Sequence, residues 1–409
     1  MKNYVIVIYT LFIFWIMFMN GKMIALDPTL DGWIRNGMGL VLLIPLFQNF
    51  SEFIKGKHKA VNLSILAFAI ISCVSAYVNY DNVNSLNVQG WNNGVVVDLK
   101  AQQAKGVVYP MISLVATVFL IEKLSEIGKL KIMVKTLFFS LLILTLFADI
   151  DALSMTDTTE LAGGNSYWIG NKFAVCYTNI YACILYYFLH PDLKRKSKCI
   201  LIGLLVVTVI VCFHTQCSTA LMGIFIVAFF TFFLSRRYRA KLYSVKTMFM
   251  TLFVCDMLFF FFTTWFLQFS LVQDFIVNVL HEDLTLTGRL AIYENIQTAF
   301  TENPWLGFGS GNSSTISVLY TGAYDAQNGL VDMFIQVGLL GCISFLLFLY
   351  YIFPKNRQYA VNIYPIVIFV YMMFAISMVE IPFNNKFIFF TMFILGTSTN
   401  NKKILQWKK

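Results

Sequence analysis

The sequence predicts an all-α polytopic membrane protein of about twelve transmembrane helices, with both termini on the cytoplasmic side. Hydrophobic residues make up 58% of the 409 residues and charged residues only 12%, whereas soluble globular proteins carry roughly 25% charged residues. Apolar runs that are long enough to cross a bilayer recur along the whole chain. The connections between these runs alternate between rich and poor in lysine and arginine, as the positive-inside rule requires.

The apolar runs define the expected spans. A helix needs about 20 predominantly apolar residues to cross the hydrocarbon core. The first run lacks a small-residue cleavage site and is followed by many similar runs, so we interpret it as a transmembrane helix rather than a signal peptide. The expected spans lie near residues 3–20, 34–50, 60–79, 107–122, 132–149, 168–189, 198–214, 217–234, 246–267, 329–353, 361–379 and 383–398.

The basic residues set the orientation. Most of the 30 lysines and arginines fall in connections that are cytoplasmic if the N-terminus lies inside. They are scattered between apolar runs and form no continuous stripe, so the net charge of +9 does not indicate a nucleic-acid partner. The chain 1–409 is therefore expected to form a single transmembrane domain. The basic residues left on its outer side are Lys22, Arg35, Lys100, Lys105, Lys172, Arg289 and Lys386.

The longest outer connection, 268–328, carries a pattern. Thr287 can cap an amphipathic helix over 288–302, and a proline then stops that helix. A Gly-rich turn follows at 306–311, where backbone amides could be exposed to an anion. On spacing alone, a flexible outer loop is an equal alternative.

Charged residues that could carry chemistry are few. Asp256 is the acidic residue well inside a span, and a hydroxyl group of a neighbouring helix could satisfy it. Lys172 and Arg289 are basic residues at outer helix starts, which the positive-inside tendency disfavours. Arg289 is also unfavourable to the helix dipole, and it would suit a phosphate or diphosphate. A salt bridge to a nearby acidic residue such as Asp283 is an equal alternative for Arg289.

Several short motifs lie on the outer side in a characteristic order. An s-G-R sequence opens the loop helix, an n-P-l-x-G-x-G turn follows it, and a Q-N-x9-G-x-x-G element leads into the next span. A GNKF stretch and a T-x-x-S-T hairpin precede them. These motifs stand at 287–289, 302–309, 327–341, 170–173 and 215–219. Together they resemble the motifs of the O-antigen ligase and polysaccharide polymerase superfamily. In that superfamily the element that corresponds to 327–341 begins with histidine.

The resemblance implies a glycosyltransferase of the bacterial cytoplasmic membrane that uses no cofactor and no metal. An acceptor hydroxyl would attack the anomeric carbon of a glycan on undecaprenyl diphosphate, and the lipid diphosphate would leave. We expect a repeat-unit polymerase for capsule, exopolysaccharide or O-antigen. The alternatives are an O-antigen-type ligase and, in another class, a lipid-linked oligosaccharide flippase. The expected partners are the lipid-linked oligosaccharide and membrane lipid, with a chain-length regulator and a flippase.

The resemblance also implies roles for individual residues. Arg289 and Lys172 would neutralise the leaving diphosphate. Gln327 replaces the histidine of the family, and glutamine cannot accept a proton at useful pH. Asp325 or Asp332 is therefore the expected base, and the replacement counts against a ligase. The expected substrate-binding residues are Asn171, Thr215, Ser218, Gly288, Tyr293, Gln327 and Asn328.

Overall fold

The computed structural model is helical and consistent with a polytopic membrane protein. It describes residues 1–19, 21–92, 95–154, 167–258, 269–274, 277–278, 292, 295–353 and 363–397. Within those residues, seven helices are long and apolar enough to cross a membrane, and four shorter apolar helices accompany them. The count of about twelve spans and the orientation of the termini stay predictions.

The N-terminal part contains the first nine helices and a hairpin in which β1 pairs antiparallel with β2. In chain order these elements are α1 (Asn3–Phe18), α2 (Pro28–Leu42), α3 (Ile44–Gln48), α4 (Phe50–Lys55), α5 (Lys59–Val78), α6 (Tyr80–Ser85), β1 (Gln89–Asn92), β2 (Val95–Asp98), α7 (Ala104–Glu126), α8 (Leu130–Ser154) and α9 (Lys172–Leu189). A short 3₁₀-helix, Gly21–Ile24, follows α1.

The C-terminal part includes two π-helical turns, Phe229–Phe233 and Val254–Leu258, and a terminal 3₁₀-helix, Met392–Thr397. Its α-helices are α10 (Arg195–His214), α11 (Ser218–Ala228), α12 (Arg236–Leu242), α13 (Val245–Phe253), α14 (Ser270–Asp274), α15 (Gln297–Glu302), α16 (Ser313–Thr321), α17 (Gly329–Ile352), α18 (Tyr364–Ile376) and α19 (Asn385–Thr391).

The centre of the bundle is an aromatic core around α18 and α19. The ring centroid of Phe369 lies 5.3 Å from that of Phe390 and 6.0 Å from that of Phe387. The outer helix faces are equally apolar, since Phe213 is 62% exposed and Phe225 61% exposed. A soluble protein rarely presents large apolar patches to water, whereas lipid solvates them. The exposed faces are therefore those expected to contact the bilayer.

The second span begins earlier than the sequence predicted. Asp27 caps α2, because its side chain accepts hydrogen bonds from the amides of Thr29 at 2.9 Å and Leu30 at 3.2 Å. Pro28 occupies the first helical position, which proline favours. The predicted span 34–50 is thus placed too late, and the apolar segment runs over Pro28–Gln48.

The acidic residue within a predicted span receives one hydrogen bond from a residue at the end of a neighbouring helix. Asp256 is fully buried, and the hydroxyl of Ser377 donates to its Oδ2 at 2.9 Å. A polar partner of this kind is what a buried carboxyl group requires in an apolar bundle. The expected hydroxyl partner is therefore present for Oδ2, whereas Oδ1 accepts no hydrogen bond from the described residues.

The described part of the outer loop packs against the bundle. Within the predicted helix 288–302, residues 297–302 form α15, which ends before Asn303 as the sequence predicted. Ile296 and Ala299 are buried in a small apolar cluster with Phe308 and Ile335. This packing favours a structured loop over the flexible alternative for the residues described.

Candidate functional site

A cavity of about 650 Å³ opens at the end of the bundle that the charge pattern predicts to be the outer side. Residues of α1, α2, α5, α7, α17 and α19 line it, together with the Gly-rich turn. The lining contains both apolar and polar side chains, which suits an amphiphilic ligand. The apolar part includes Ile16, Met17, Phe68, Met111, Leu114, Met333, Val337 and Ile388, and the polar part includes Arg35, Asn36, Gln102, Ser310, Asp332, Gln336, Asn384, Asn385 and Lys386.

One side of the cavity is formed where α17 is broken. Gly338 has φ 60° and ψ −165°, a conformation that is essentially confined to glycine. The sequence predicted an uninterrupted span over 329–353, and this prediction is wrong at Gly338. In an unbroken helix the amides of Leu339 and Leu340 would donate to carbonyls four residues earlier. Here they donate to the carbonyls of Pro304 at 2.8 Å and Trp305 at 3.1 Å.

The carbonyls that those amides leave behind are satisfied by the Gly-rich turn. The carbonyl of Ile335 accepts from the amide of Phe308 at 2.7 Å. The carbonyl of Gln336 accepts from the amide of Gly309 at 3.1 Å. We call this exchange of backbone hydrogen bonds between 304–309 and α17 the splice. The expectation that the turn amides face an anion is wrong for Phe308 and Gly309, because the break in α17 uses these two amides.

Two glycines face each other at the splice. A Cβ atom on Gly338 would lie 2.5 Å from the amide nitrogen of Gly307, and a Cβ on Gly307 would lie 2.7 Å from that of Gly338. Gly307 also has a positive φ of 64°, which side chains disfavour. Two motifs that the sequence shows separately, n-P-l-x-G-x-G and G-x-x-G, therefore meet as one structural unit.

Polar side chains of α5 fasten the splice to the bundle. The hydroxyl of Ser75 donates to the carbonyls of Leu306 and, at 3.0 Å, of Gln336. The side-chain amide of Asn79 donates to the carbonyl of Gly307 at 3.0 Å. The outer-loop segment 304–309 and the end of α5 thus both hold the cavity side of α17 in place.

Asp332 lies in the first half of α17 and lines the cavity, although it is only 3% exposed. The hydroxyl of Ser313 donates to its Oδ1, and the side-chain amide of Gln336 donates to its Oδ2 at 2.7 Å. Gln336 is itself fixed, because its Oε1 accepts from the amide of Gly311 at 2.9 Å. A carboxylate held from both sides keeps lone pairs that can accept a proton.

The residues just before α17 stabilise the N-terminal end of that helix. Asn328 is fully buried, and its Oδ1 accepts from the amides of Leu330 at 3.1 Å and Val331 at 3.0 Å, which caps the helix. Gln327 has φ 50°, a conformation uncommon outside glycine, and its amide donates to Asp325 at 3.1 Å. Asp325, Gln327 and Asn328 do not line the cavity, and their catalytic and binding roles stay predictions.

A second group of predicted residues meets where α9 begins beside the α10–α11 hairpin. Asn171 caps α9 with its side chain, and Nζ of Lys172 donates to the carbonyl of Gln216 at 3.3 Å. Thr215 is buried, and its hydroxyl donates to a backbone carbonyl of α10 at 2.9 Å. Ser218 is the first residue of α11. None of these residues lines the cavity, and their roles in binding or catalysis stay predictions.

The structure places in the cavity two cations that the sequence reasoning did not select. The positive-inside pattern left Arg35 and Lys386 on the outer side, as it did Lys172 and Arg289, the two cations with predicted catalytic roles. The middle of α2 holds Arg35 and the first turn of α19 holds Lys386 at the cavity, but no sequence motif marks either residue. The remaining predicted residues, Gly288, Arg289 and Tyr293, lie outside the described parts of the chain.

Arg35 connects α2 to the end of α1. Its Nε donates to Asp31 at 2.7 Å, and its two terminal nitrogens donate to the carbonyls of Ile16 at 2.9 Å and of Met19. A guanidinium group has five N–H donors, so these three bonds leave donors for a ligand in the cavity.

The fold is that of a helical integral membrane protein, and its cavity has both apolar and polar lining residues. A family model described as O-antigen ligase matches residues 203–346. This match agrees with the resemblance to the O-antigen ligase superfamily that the loop motifs indicated. It supports an O-antigen ligase- or polymerase-type function. No curated protein and no solved structure matches the chain.

The matched segment runs from α10 into the second half of α17. It therefore contains both glycines of the splice and the carboxylate of Asp332. Arg35 and Lys386 lie outside it, although they line the same cavity as Asp332. The cavity thus combines residues of the family segment with residues contributed by the rest of the chain.

Proposed function

We propose that this protein is a polysaccharide polymerase of the bacterial cytoplasmic membrane. It joins oligosaccharide repeat units carried on undecaprenyl diphosphate, at the outer face, for capsule, exopolysaccharide or O-antigen. The observation that carries the proposal is the position of Asp332, a carboxylate fixed by Ser313 and Gln336 in a cavity with both apolar and polar walls. A polymerase of this kind needs a positioned base and room for a lipid-linked glycan.

The reaction assigns Asp332 the role of general base. The oxygen of an acceptor hydroxyl forms a bond to the anomeric carbon of the donor glycan, and its proton passes to the carboxylate. The bond between that carbon and the phosphate oxygen breaks, and its electron pair stays with the lipid diphosphate. A base held in place by two hydrogen bonds is pre-oriented for this transfer.

The walls of the cavity match the two parts of such a substrate. Apolar side chains such as Phe68 and Met111 can contact the first units of the polyprenyl chain. The side-chain amides of Asn36, Gln102 and Asn385 can exchange hydrogen bonds with sugar hydroxyls. The lipid would therefore enter with its headgroup directed towards Asp332.

Two observations favour a polymerase over the alternatives. Gln327 cannot take the part of the histidine expected in a ligase, while Asp332 offers a carboxylate in the cavity. A transporter commonly uses broken helices that line an open substrate path. In this chain the outer loop fills the break at Gly338 with its own backbone, which fits a fixed site better than a moving gate.

The decisive experiment gives the purified protein a single substrate. In detergent, with one lipid-linked repeat unit and no second glycan carrier, a polymerase should produce a ladder of lengthened glycans on lipid. A ligase should leave the units unextended until another carrier is added. A flippase should leave them unextended in every case, because it moves the lipid without forming a glycosidic bond. Lack of extension under conditions that preserve the folded protein would disprove the polymerase proposal.

The Arg289→Ala variant tests the diphosphate role proposed for that residue. We expect polymer to disappear and single repeat units on lipid to accumulate, because the leaving group loses a neutralising cation. The measurement is an analysis of lipid-linked glycans from cells that carry the variant. Arg195→Ala is the matched control, since Arg195 is an exposed residue at the predicted cytoplasmic end of α10. Long-chain polymer in Arg289→Ala cells at the control level would contradict the assignment.

A further inference from the structure

Lys386 stands out among the polar residues of the cavity. It is the second residue of α19, where the positive end of the helix dipole disfavours a cation. Its Nζ lies 5.1 Å from the centroid of the Phe18 ring. Across the described parts of the chain, no carboxylate lies within 4.0 Å of this ammonium group. The charge of Lys386 therefore lacks an anionic partner in the structure described.

The position of Lys386 is fixed by its own loop. Asn384 caps α19, because its Oδ1 accepts from the amides of Lys386 at 3.0 Å and Phe387 at 3.3 Å. The ammonium group lies over the face of the Phe18 ring. The ammonium group is thus presented to the cavity by a rigid helix start.

Arg35 is the second cation at this wall of the cavity. Its charge and that of Lys386 repel each other, and Asp31 balances the charge of Arg35. Both cations line one partly apolar cavity, and the charge of Lys386 has no carboxylate partner among the described residues, which is costly without a bound anion. A bridging anion would relieve this cost and would use the free donors of both groups.

We infer that Lys386 and Arg35 bind the diphosphate of the lipid-linked donor in this cavity. The inference rests on the proposed function, and it concerns residues outside the segment that the O-antigen ligase family model matches. When the glycan leaves, the diphosphate takes up one further negative charge. Lys386 and Arg35 stabilise that charge while Asp332 takes the proton of the acceptor hydroxyl. All three side chains line the same cavity, as a reaction on one anomeric carbon requires.

A purely structural role explains Arg35 better than Lys386. Arg35 holds the end of α1 through carbonyls of that helix, so its replacement would also disturb the fold. The ammonium of Lys386 makes no hydrogen bond to any described residue, and its loss would leave α19 capped by Asn384. Lys386 is therefore the residue whose replacement tests ligand binding.

The binding test uses undecaprenyl diphosphate, without any sugar, as the probe. We expect Lys386→Gln to weaken its binding to the purified protein about tenfold or more, because a charge-assisted contact is lost. Lys386→Arg keeps the charge and should retain most of the affinity. Lys105→Gln is the matched control, since Lys105 is an exposed lysine at the start of α7 that does not line the cavity. Equal affinities for all four proteins would overturn the inference.

Two further probes identify the source of the anion. Undecaprenyl monophosphate should bind more weakly than the diphosphate, and inorganic diphosphate should compete poorly because it cannot use the apolar wall. Inorganic diphosphate that binds as tightly as the lipid, and with the same dependence on Lys386, would overturn the assignment to a lipid headgroup.

The elongation assay separates this inference from the proposed function. If the wild type lengthens glycans and Lys386→Gln does so at the same rate with the same affinity, the cation role is disproved and the polymerase stands. If the wild type binds undecaprenyl diphosphate through Lys386 but lengthens nothing, the lipid site stands and the polymerase is disproved. We expect lengthening by the wild type and a rate about 10²–10³-fold lower for Lys386→Gln at saturating substrate.

Discussion

Replacing Asp332 by asparagine is expected to lower the rate of glycan lengthening by about 10²–10⁴-fold, the range that a positioned general base contributes. Asparagine has nearly the same shape and can still accept the hydrogen bond of Ser313, so the local packing should survive. Its amide cannot take the proton of the acceptor hydroxyl. The measurement is the initial rate in the single-substrate assay, with substrate affinity determined separately.

Asp325→Asn distinguishes the two bases that the sequence proposed. Asp325 lies before α17 and does not line the cavity, so its replacement should cost far less than that of Asp332. Asp98→Asn serves as the control, because Asp98 is an exposed carboxylate of the outer hairpin. If Asp325→Asn stops lengthening while Asp332→Asn remains active, the base is Asp325 and the assignment to Asp332 is wrong.

The Gly338→Ala variant is expected to lose most of its folded protein. The backbone conformation of Gly338 alone would destabilise the fold by about 1–3 kcal/mol if the residue carried a side chain. The new Cβ would also lie 2.5 Å from the carbonyl carbon and oxygen of Trp305 and from the amide nitrogen of Gly307, and backbone atoms cannot move aside cheaply. The measurement is the amount of monodisperse protein extracted in mild detergent, followed by its thermal unfolding midpoint.

A matched control separates the splice from ordinary effects of glycine replacement. Gly203 lies within the apolar helix α10, and a Cβ on it would meet no atom within 4 Å. Gly203→Ala should therefore fold as well as the wild type. Gly307→Ala should be as damaging as Gly338→Ala, and the double variant should cost less than the sum of the two, since the residues touch. Normal folding of Gly338→Ala would show that the chain does not need the splice.

The helical membrane fold could be predicted because the low content of charged residues and the length of the apolar runs indicate that lipid surrounds the helices. Boundaries were harder to place. The start of α2 depends on the local cap by Asp27 and on Pro28, which a hydropathy scan does not weigh. The break at Gly338 could not be predicted from the span itself, because the partner that makes it tolerable is a loop about thirty residues earlier in the chain.

The site was predictable where a motif marked it and not elsewhere. Asp332 was found because it stands close to the Gln327-Asn328 motif. Arg35 and Lys386 carry no motif, and only the packing of α1, α2 and α19 brings them to one wall. The Gly-rich turn was placed correctly but misinterpreted, since its free amides look the same in sequence whether an anion or a broken helix accepts from them.

The splice also has a consequence for the order in which the chain inserts into the membrane and folds. Residues 304–309 are synthesised before α17, and the orphaned groups of α17 cannot find water inside a bilayer. We therefore expect α17 to enter the membrane as a continuous apolar helix, with Gly338 still helical. It would bend only when the preceding outer segment folds back and exchanges hydrogen bonds with it. Completion of the cavity would then be a late event in biogenesis, so an immature chain would be inserted but inactive.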